Sequence, residues 1–261
     1  MNTAAGRSLT GDMLDAAWRA FGTLPGGLAR RPLPARLQRL RPLRALGLIE
    51  IQVESFTGGQ LRSATFLRTA IAGRPMVSAV VACPDHALGC PVFSVDAMIT
   101  GSSLLLVLEV LDPGVRDDPP LRTFLTAMAA HKTQMLAGPV IDASLPPHAW
   151  NRWYVPTASI RVKAPPGSAA EIFPIFERCV EAYVRLLGES TPLDSARAQV
   201  SRQQAEAYVA TLLDQGGPAV DTFRLLLGRT RQREFVSSVM FGLETASAPD
   251  ANSRRNSPAQ D

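Results

Sequence analysis

The sequence predicts an α+β fold, a three-layer α/β/α sandwich in which helices flank a central antiparallel sheet. Strand-like apolar runs crowd the stretch from Leu48 to Leu111, about one every 8–14 residues. The segments joining them are too short for crossover helices, which argues for an antiparallel meander and not a doubly wound sheet. Helical periodicity then dominates from Pro120 onward. Strands first and helices mostly last is the order expected of helices covering a sheet. With 261 residues, 46 % hydrophobic and 19 % charged, the chain has the composition of a globular protein with a sizeable core.

The elements follow in order. Asp12–Phe21 reads as a short amphipathic helix, with Met13, Ala16, Trp18 and Phe21 as anchors, and a Gly/Pro/Arg-rich connector runs on to about Arg44. Leu48–Glu54 alternates apolar and polar residues, and Gly58-Gly59 supplies the turn before Leu61–Ala72. Met76–Cys83, Val92–Ile99 and Leu104–Leu111 complete the first group of strands, and Tyr154–Val162 is one more. Pro120–Leu136 is helical, with proline in the first turn, where its missing N–H costs nothing. Ala169–Leu187 sets Ile172, Phe176, Cys179, Tyr183 and Leu186 on one face at helical spacing. Asp194–Leu213, Pro218–Leu227 and Arg231–Leu243 are further helices. Residues 1–44 are expected to form an N-terminal helix and connector, 45–244 a single domain, and 245–261 a disordered tail of low hydrophobicity.

Much familiar chemistry is missing. No phosphate loop, dinucleotide-binding glycine motif or nucleophile elbow is present. His86, His131 and His148 lack metal-ligand spacing, and Cys83, Cys90 and Cys179 fit reduced thiols better than a disulfide framework. No run is long and apolar enough for a membrane span, and the N-terminus lacks an apolar secretion segment, so a cytoplasmic protein without a membrane partner is expected. Arg30, Arg31, Arg36, Arg39, Arg41 and Arg44 form a basic cluster, but without interleaved aromatics, so nucleic acid is not the expected partner.

The stretch Val81–Pro113 (VACPDHALGCPVFSVDAMITGSSLLLVLEVLDP) carries Pro91, Phe93, Asp96, Gly101 and Pro113 in a distinctive layout. Downstream come Gln199, Gln203 and Tyr208, then Phe223–Gly228 (FRLLLG), Phe235 and Met240-Phe241; upstream, Leu61-Arg62 leads through Ala70. In order and spacing these resemble the ferredoxin-dependent bilin reductases. The resemblance spans about residues 48–243. It implies a helix-sandwiched antiparallel sheet, with an open-chain tetrapyrrole between the sheet and the C-terminal helices. It also implies reduced ferredoxin as electron donor, a biliverdin-like bilin as substrate, and no cofactor bound by the protein. Ferredoxins are acidic, which suits the net charge of +4.

The resemblance assigns proton donation to Asp96, and a carboxyl in a mostly apolar cleft is expected to hold its proton near neutrality. Phe93, Val95 and Met98 are expected to flank it. Where phycocyanobilin-forming members carry a Glu and a His, this chain has Leu67 and Ala79, so vinyl reduction is not expected. A second donor would be Asp214 or Asp221, in the Gly216-Gly217-Pro218 region, with Asp214 preferred. Arg62, Arg161, Arg224 and Arg229 are candidates to pair with the propionates. Two other readings stay open: a bilin carrier without catalysis, and a reductase of a chlorophyll-derived linear tetrapyrrole.

Overall fold

The computed structural model describes residues 3–33, 37, 39–40, 48–100, 103–138, 141–142, 149–216 and 218–243. Helix α1 (Thr3–Phe21) leads into two short strands, β1 (Ala29–Arg30) and β2 (Arg39–Leu40). The long strands are β3 (Ile49–Gly58), β4 (Leu61–Ile71), β5 (Arg74–Pro84), β6 (Val92–Thr100) and β7 (Ser103–Leu111). Helix α2 (Pro119–Leu136), strand β8 (Ile141–Asp142), a 3-10 segment (Ala149–Trp153) and β9 (Ile160–Ala164) follow. The chain continues through α3 (Ala169–Glu189), α4 (Ser195–Gln215), α5 (Pro218–Leu227) and α6 (Arg229–Glu234), and then a π-helical turn (Phe235–Met240).

All the strands join one antiparallel sheet in the order β1-β3-β4-β5-β6-β7-β9-β8, with β2 also on β3. The meander from β3 to β7 needs only tight connections. In the β3–β4 hairpin, Gly58 has φ 111°, and a Cβ there would stand 2.7 Å from the Gly27 carbonyl oxygen. Glycine is required because this turn presses on the loop after α1. Ala72 and Gly73, both at positive φ, make the two-residue turn between β4 and β5.

Period-two alternation divides the side chains between two cores. On one face Phe66, Val80, Phe93, Val95, Leu106 and Ile160 pack against α1, α2 and α3, which contribute Phe21, Met128 and Tyr183. On the other, Ile51, Val53, Leu67, Ala79, Val81 and Cys83 pack against Tyr208 and Leu212 of α4, Val220 of α5 and Phe235 and Val239 of the π-turn. Helices thus cover both faces, which is the three-layer α+β sandwich.

Local signals explain most boundaries. Asp118 caps α2 by accepting from the Leu121 N–H at 3.2 Å, ahead of prolines in the first turn. Asp194 caps α4 through the Arg197 N–H at 2.8 Å. The buried Arg116 guanidinium donates to Asp118 and to the carbonyls of Leu88 and Thr191, tying the start of α2 to two loops. Two boundaries depart from expectation. The strand expected over Tyr154–Val162 begins only at Ile160, with Tyr154 making a single bridge to Leu111. The helix expected over Arg231–Leu243 becomes a π-turn after Glu234. There Arg31 donates to the carbonyls of Ser238 (2.6 Å) and Val239 (3.1 Å), and Thr65 also donates to Val239 (2.7 Å). These tertiary donors satisfy carbonyls that a longer helix would leave to its next turn.

The N-terminal helix is longer than Asp12–Phe21 and belongs to the first core through Met13, Leu14, Ala17 and Phe21. In the basic cluster, Arg31 fastens the π-turn and Arg30 lies 3.6 Å from Glu54. Arg36, Arg41 and Arg44 lie outside the described residues, as do His148, Gly101 and the 245–261 tail.

Candidate active site

Six residues stand side by side across the sheet on the face turned towards α4 and α5. Strand register places Val53 opposite Leu67, Leu67 opposite Ala79, Ala79 opposite Asp96, Asp96 opposite Val107, and Val107 opposite Arg161. The helices cover this row unevenly. Val53, Leu67 and Ala79 are buried, whereas Asp96, Val107 and Arg161 are half-buried. The same holds along the strands: Ser94 and Met98 on β6, and Leu105 and Glu109 on β7, keep partial access to solvent. On the opposite face of these strands, Phe93, Val95, Ala97, Leu106 and Leu108 are fully packed. Over β6, β7 and β9, this face of the described sheet is therefore covered less closely than over β3, β4 and β5.

Asp96 is the one carboxyl in the row. Burial pushes its pKa up to about 6, and no described residue donates a hydrogen bond to it. Leu67 and Ala79 put two apolar side chains in line with it, so the register that aligns them also dries its surroundings. Glu109 stands on the same face one strand over. Burial, and then the charge of Asp96, push it up to about 7, while Arg161 pulls the other way. Arg161 has its Nε buried without a hydrogen-bond partner, so its guanidinium has a donor to offer an anionic group. Tyr208 comes down from α4, its pKa driven upward by burial and by the nearby carboxyls of Glu109 and Asp96. Its ring is held edge-on between Trp153 and Phe241, at centroid distances of 5.5 Å to each. Such a group stays a neutral hydroxyl at any working pH.

The other residues singled out in the sequence are placed as follows. Met98 shares the Asp96 face and is half-buried. Phe93 and Val95 are an odd number of residues from Asp96 and face the opposite core, where Phe93 stacks on Tyr183 at 4.7 Å. The expectation that they flank Asp96 is thus corrected: Ala79 and Val107 stand beside it on the neighbouring strands, with Met98 on the same face. Arg62 lies at one end of the sheet, donating to the carbonyls of Pro84 and Phe241. There it lines a small cavity of about 30 Å³ with His86, Trp153, Gln204 and Tyr208. Burial and the Arg62 charge push His86 down to about 4, so it is neutral at pH 7.

Asp214 is exposed at the end of α4 and accepts from Arg233 at 2.7 Å. Asp221 and Arg224 are exposed on α5, and the Asp221 carboxylate packs against Gly216, where a Cβ would approach it to 2.7 Å. Arg229 is exposed at the start of α6. None of these four lies in the cross-strand row.

Glu109 is the site residue that sequence reasoning passed over. It registers in the sequence only as an interruption of the apolar run Leu104–Leu111, although an acid inside LLLVLEVL is itself a signal.

Among solved structures, the chain is similar to selenomethionine-labelled phytochromobilin synthase from tomato in complex with biliverdin, with a TM-score of 0.70. The match covers 89 % of this chain and 82 % of that one, at 14 % identity. The likeness is therefore one of fold. No protein-family model and no curated protein sequence matches the chain. The fold is that of a protein that holds biliverdin, and the antiparallel sheet between helices expected from the resemblance is present.

Proposed function

We propose that this protein reduces a biliverdin-like linear tetrapyrrole, taking electrons singly from reduced ferredoxin, with Asp96 giving a proton to the pigment. The observation that carries the reading is the half-buried, unheld carboxyl of Asp96 on the open part of the sheet face, within a fold shared with a biliverdin complex.

The chemistry follows from the site. A conjugated pigment that accepts one electron becomes a stronger base and takes up a proton. A carboxyl raised by burial to about 6 keeps roughly a tenth of its population protonated at pH 7, far more than an ordinary aspartate, and is the better general acid there. Reduction of one double bond then takes a second electron and a second proton, with two reduced ferredoxins oxidised in all. The pigment delocalises the unpaired electron between transfers, so no flavin or nicotinamide is called for. Arg161 is suited to hold a propionate, as its buried Nε has a donor to spend, and half-buried Met98 shares the Asp96 face. Leu67 and Ala79 offer no proton, so the expected product is reduced at a methine bridge or pyrrole ring and not at an exocyclic vinyl group. The positive net charge of +4 favours encounter with an acidic electron carrier.

The test is an anaerobic mixture of the protein, biliverdin, ferredoxin and a ferredoxin-reducing system, followed by absorption. The visible band is expected to bleach or shift as product forms, and Asp96→Asn is expected to retain pigment but lose turnover. Bound pigment with an unchanged spectrum in the wild type would instead identify a carrier, and no bound pigment would refute both.

A further inference from the structure

The reaction above uses one carboxyl, and the same sheet face holds another. Asp96 stands directly opposite Val107, and Glu109 is two residues further along β7, so the two acids are diagonal neighbours on adjacent antiparallel strands. Diagonal positions lie about 7–8 Å apart, within reach of a common ligand laid across both strands. Arg161, opposite Val107 from the other side, is diagonal to Glu109 in turn. Tyr208 faces it from α4. Asp96, Arg161 and Tyr208 are thus the ionisable groups acting on Glu109 from the described elements packed around it.

We propose that Glu109 is the second proton donor of the reduction. This rests on the reading of the protein as a bilin reductase. Removal of one double bond from the pigment takes two electrons and two protons. The electrons come one each from two reduced ferredoxins, and Asp96 supplies the first proton. Glu109 supplies the second: its O–H bond breaks, a bond to hydrogen forms on the pigment, and the carboxylate left behind faces Arg161 until water returns the proton.

Geometry separates this role from a structural one. A glutamate kept to neutralise Arg161 would form an ion pair with it. Among the described residues no such pair occurs, and the Arg161 Nε remains without a hydrogen-bond partner. Glu109 accepts no hydrogen bond from a described residue either. Its pKa, raised to about 7, leaves about half of it protonated at neutrality. The position also compensates for Leu67 and Ala79, which leave the β4–β5 side of Asp96 without a donor. Asp214, by contrast, is exposed and occupied by Arg233.

The experiment compares wild type, Glu109→Gln and Glu109→Asp, each loaded with biliverdin and titrated anaerobically with photoreduced ferredoxin. Absorption follows the pigment, electron paramagnetic resonance the radical, and chromatography the product. Glu109→Gln is expected to bind the pigment, accept the first electron and accumulate the radical, with product formation slowed roughly 100-fold or more. Glu109→Asp is expected to restore part of the rate. Infrared difference spectra of the wild type on reduction are expected to show loss of a protonated-carboxyl stretch that shifts in Glu109→Asp.

Product formation by Glu109→Gln within about threefold of wild type would overturn the proposal, since a lost general acid costs far more. So would an infrared carboxyl signal unchanged in Glu109→Asp, a readout that stands even where the glutamine variant fails to fold. A wild type that leaves the pigment unreduced removes the reductase reading and this proposal together. An active wild type with an equally active glutamine variant removes only the proposal.

Discussion

Replacing Asp96 by asparagine has a consequence for folding that needs no ligand. Burial raises the carboxyl from 3.8 to about 6, so the folded chain keeps this proton over a range where the unfolded chain has lost it. The folded state binds more protons there, and stability therefore falls as the pH rises from about 4 to about 6. At about 1.4 kcal/mol per pH unit, the gap amounts to about 3 kcal/mol of stability withheld from the wild type at pH 7 and above. Asparagine has nearly the same shape and no charge to bury, so it removes the penalty. Urea unfolding of both proteins between pH 4 and pH 8 measures the difference, in which the Asp96 charge acts both through its own burial and through its push on Glu109. Asp96→Asn is expected to match the wild type near pH 4 and to exceed it by up to about 3 kcal/mol at pH 8. A difference that stays constant across the range, or an asparagine variant less stable at pH 8, would refute the account of Asp96 as a carboxyl charged at a cost.

The same substitution is expected to lower the Glu109 pKa, because the Asp96 charge is one of the causes holding it near 7; an infrared pH titration of the carboxyls reads this. Phe93→Ala is expected to cost about 3–5 kcal/mol in urea unfolding, as it empties a packed position against Tyr183. Arg31→Ala strands the Ser238 carbonyl, leaves Val239 to Thr65 and is expected to cost about 1–3 kcal/mol, with faster hydrogen exchange in the π-turn. Asp214→Asn breaks only an exposed pair with Arg233, so thermal unfolding is expected to shift by less than about 1 kcal/mol equivalent, with pigment reduction proceeding at the wild-type rate.

The meander was open to a reading of the sequence because each long strand carries its own alternation or apolar run and each turn its glycines. Face assignment was equally available: Phe93 and Asp96 are three apart, and an odd separation on a strand means opposite faces. What the sequence withholds is register. That Leu67, Ala79, Asp96, Val107 and Arg161 fall into one line depends on how five strands slide past one another, and no residue announces it. Glu109 gains meaning only from that line. Likewise, the pairing of Asp214 with Arg233 depends on how α4 meets α6, and the π-turn depends on Arg31, which arrives from more than 200 residues away in the chain. Helix periodicity speaks for a segment's own buried face and is silent about such distant partners.

Because a single layer of strands separates the two cores, the surface beneath a ligand is also the ceiling of a tightly filled interior. Phe93, Val95 and Leu106 leave no slack behind Asp96 and Val107. If the protein holds a pigment as proposed, refitting it to a differently shaped one should therefore succeed through α4 and α5 far more readily than through changes to the strands themselves. Alterations hidden on the reverse side, remote from any bound molecule, should still be felt at the carboxyls through the shared backbone.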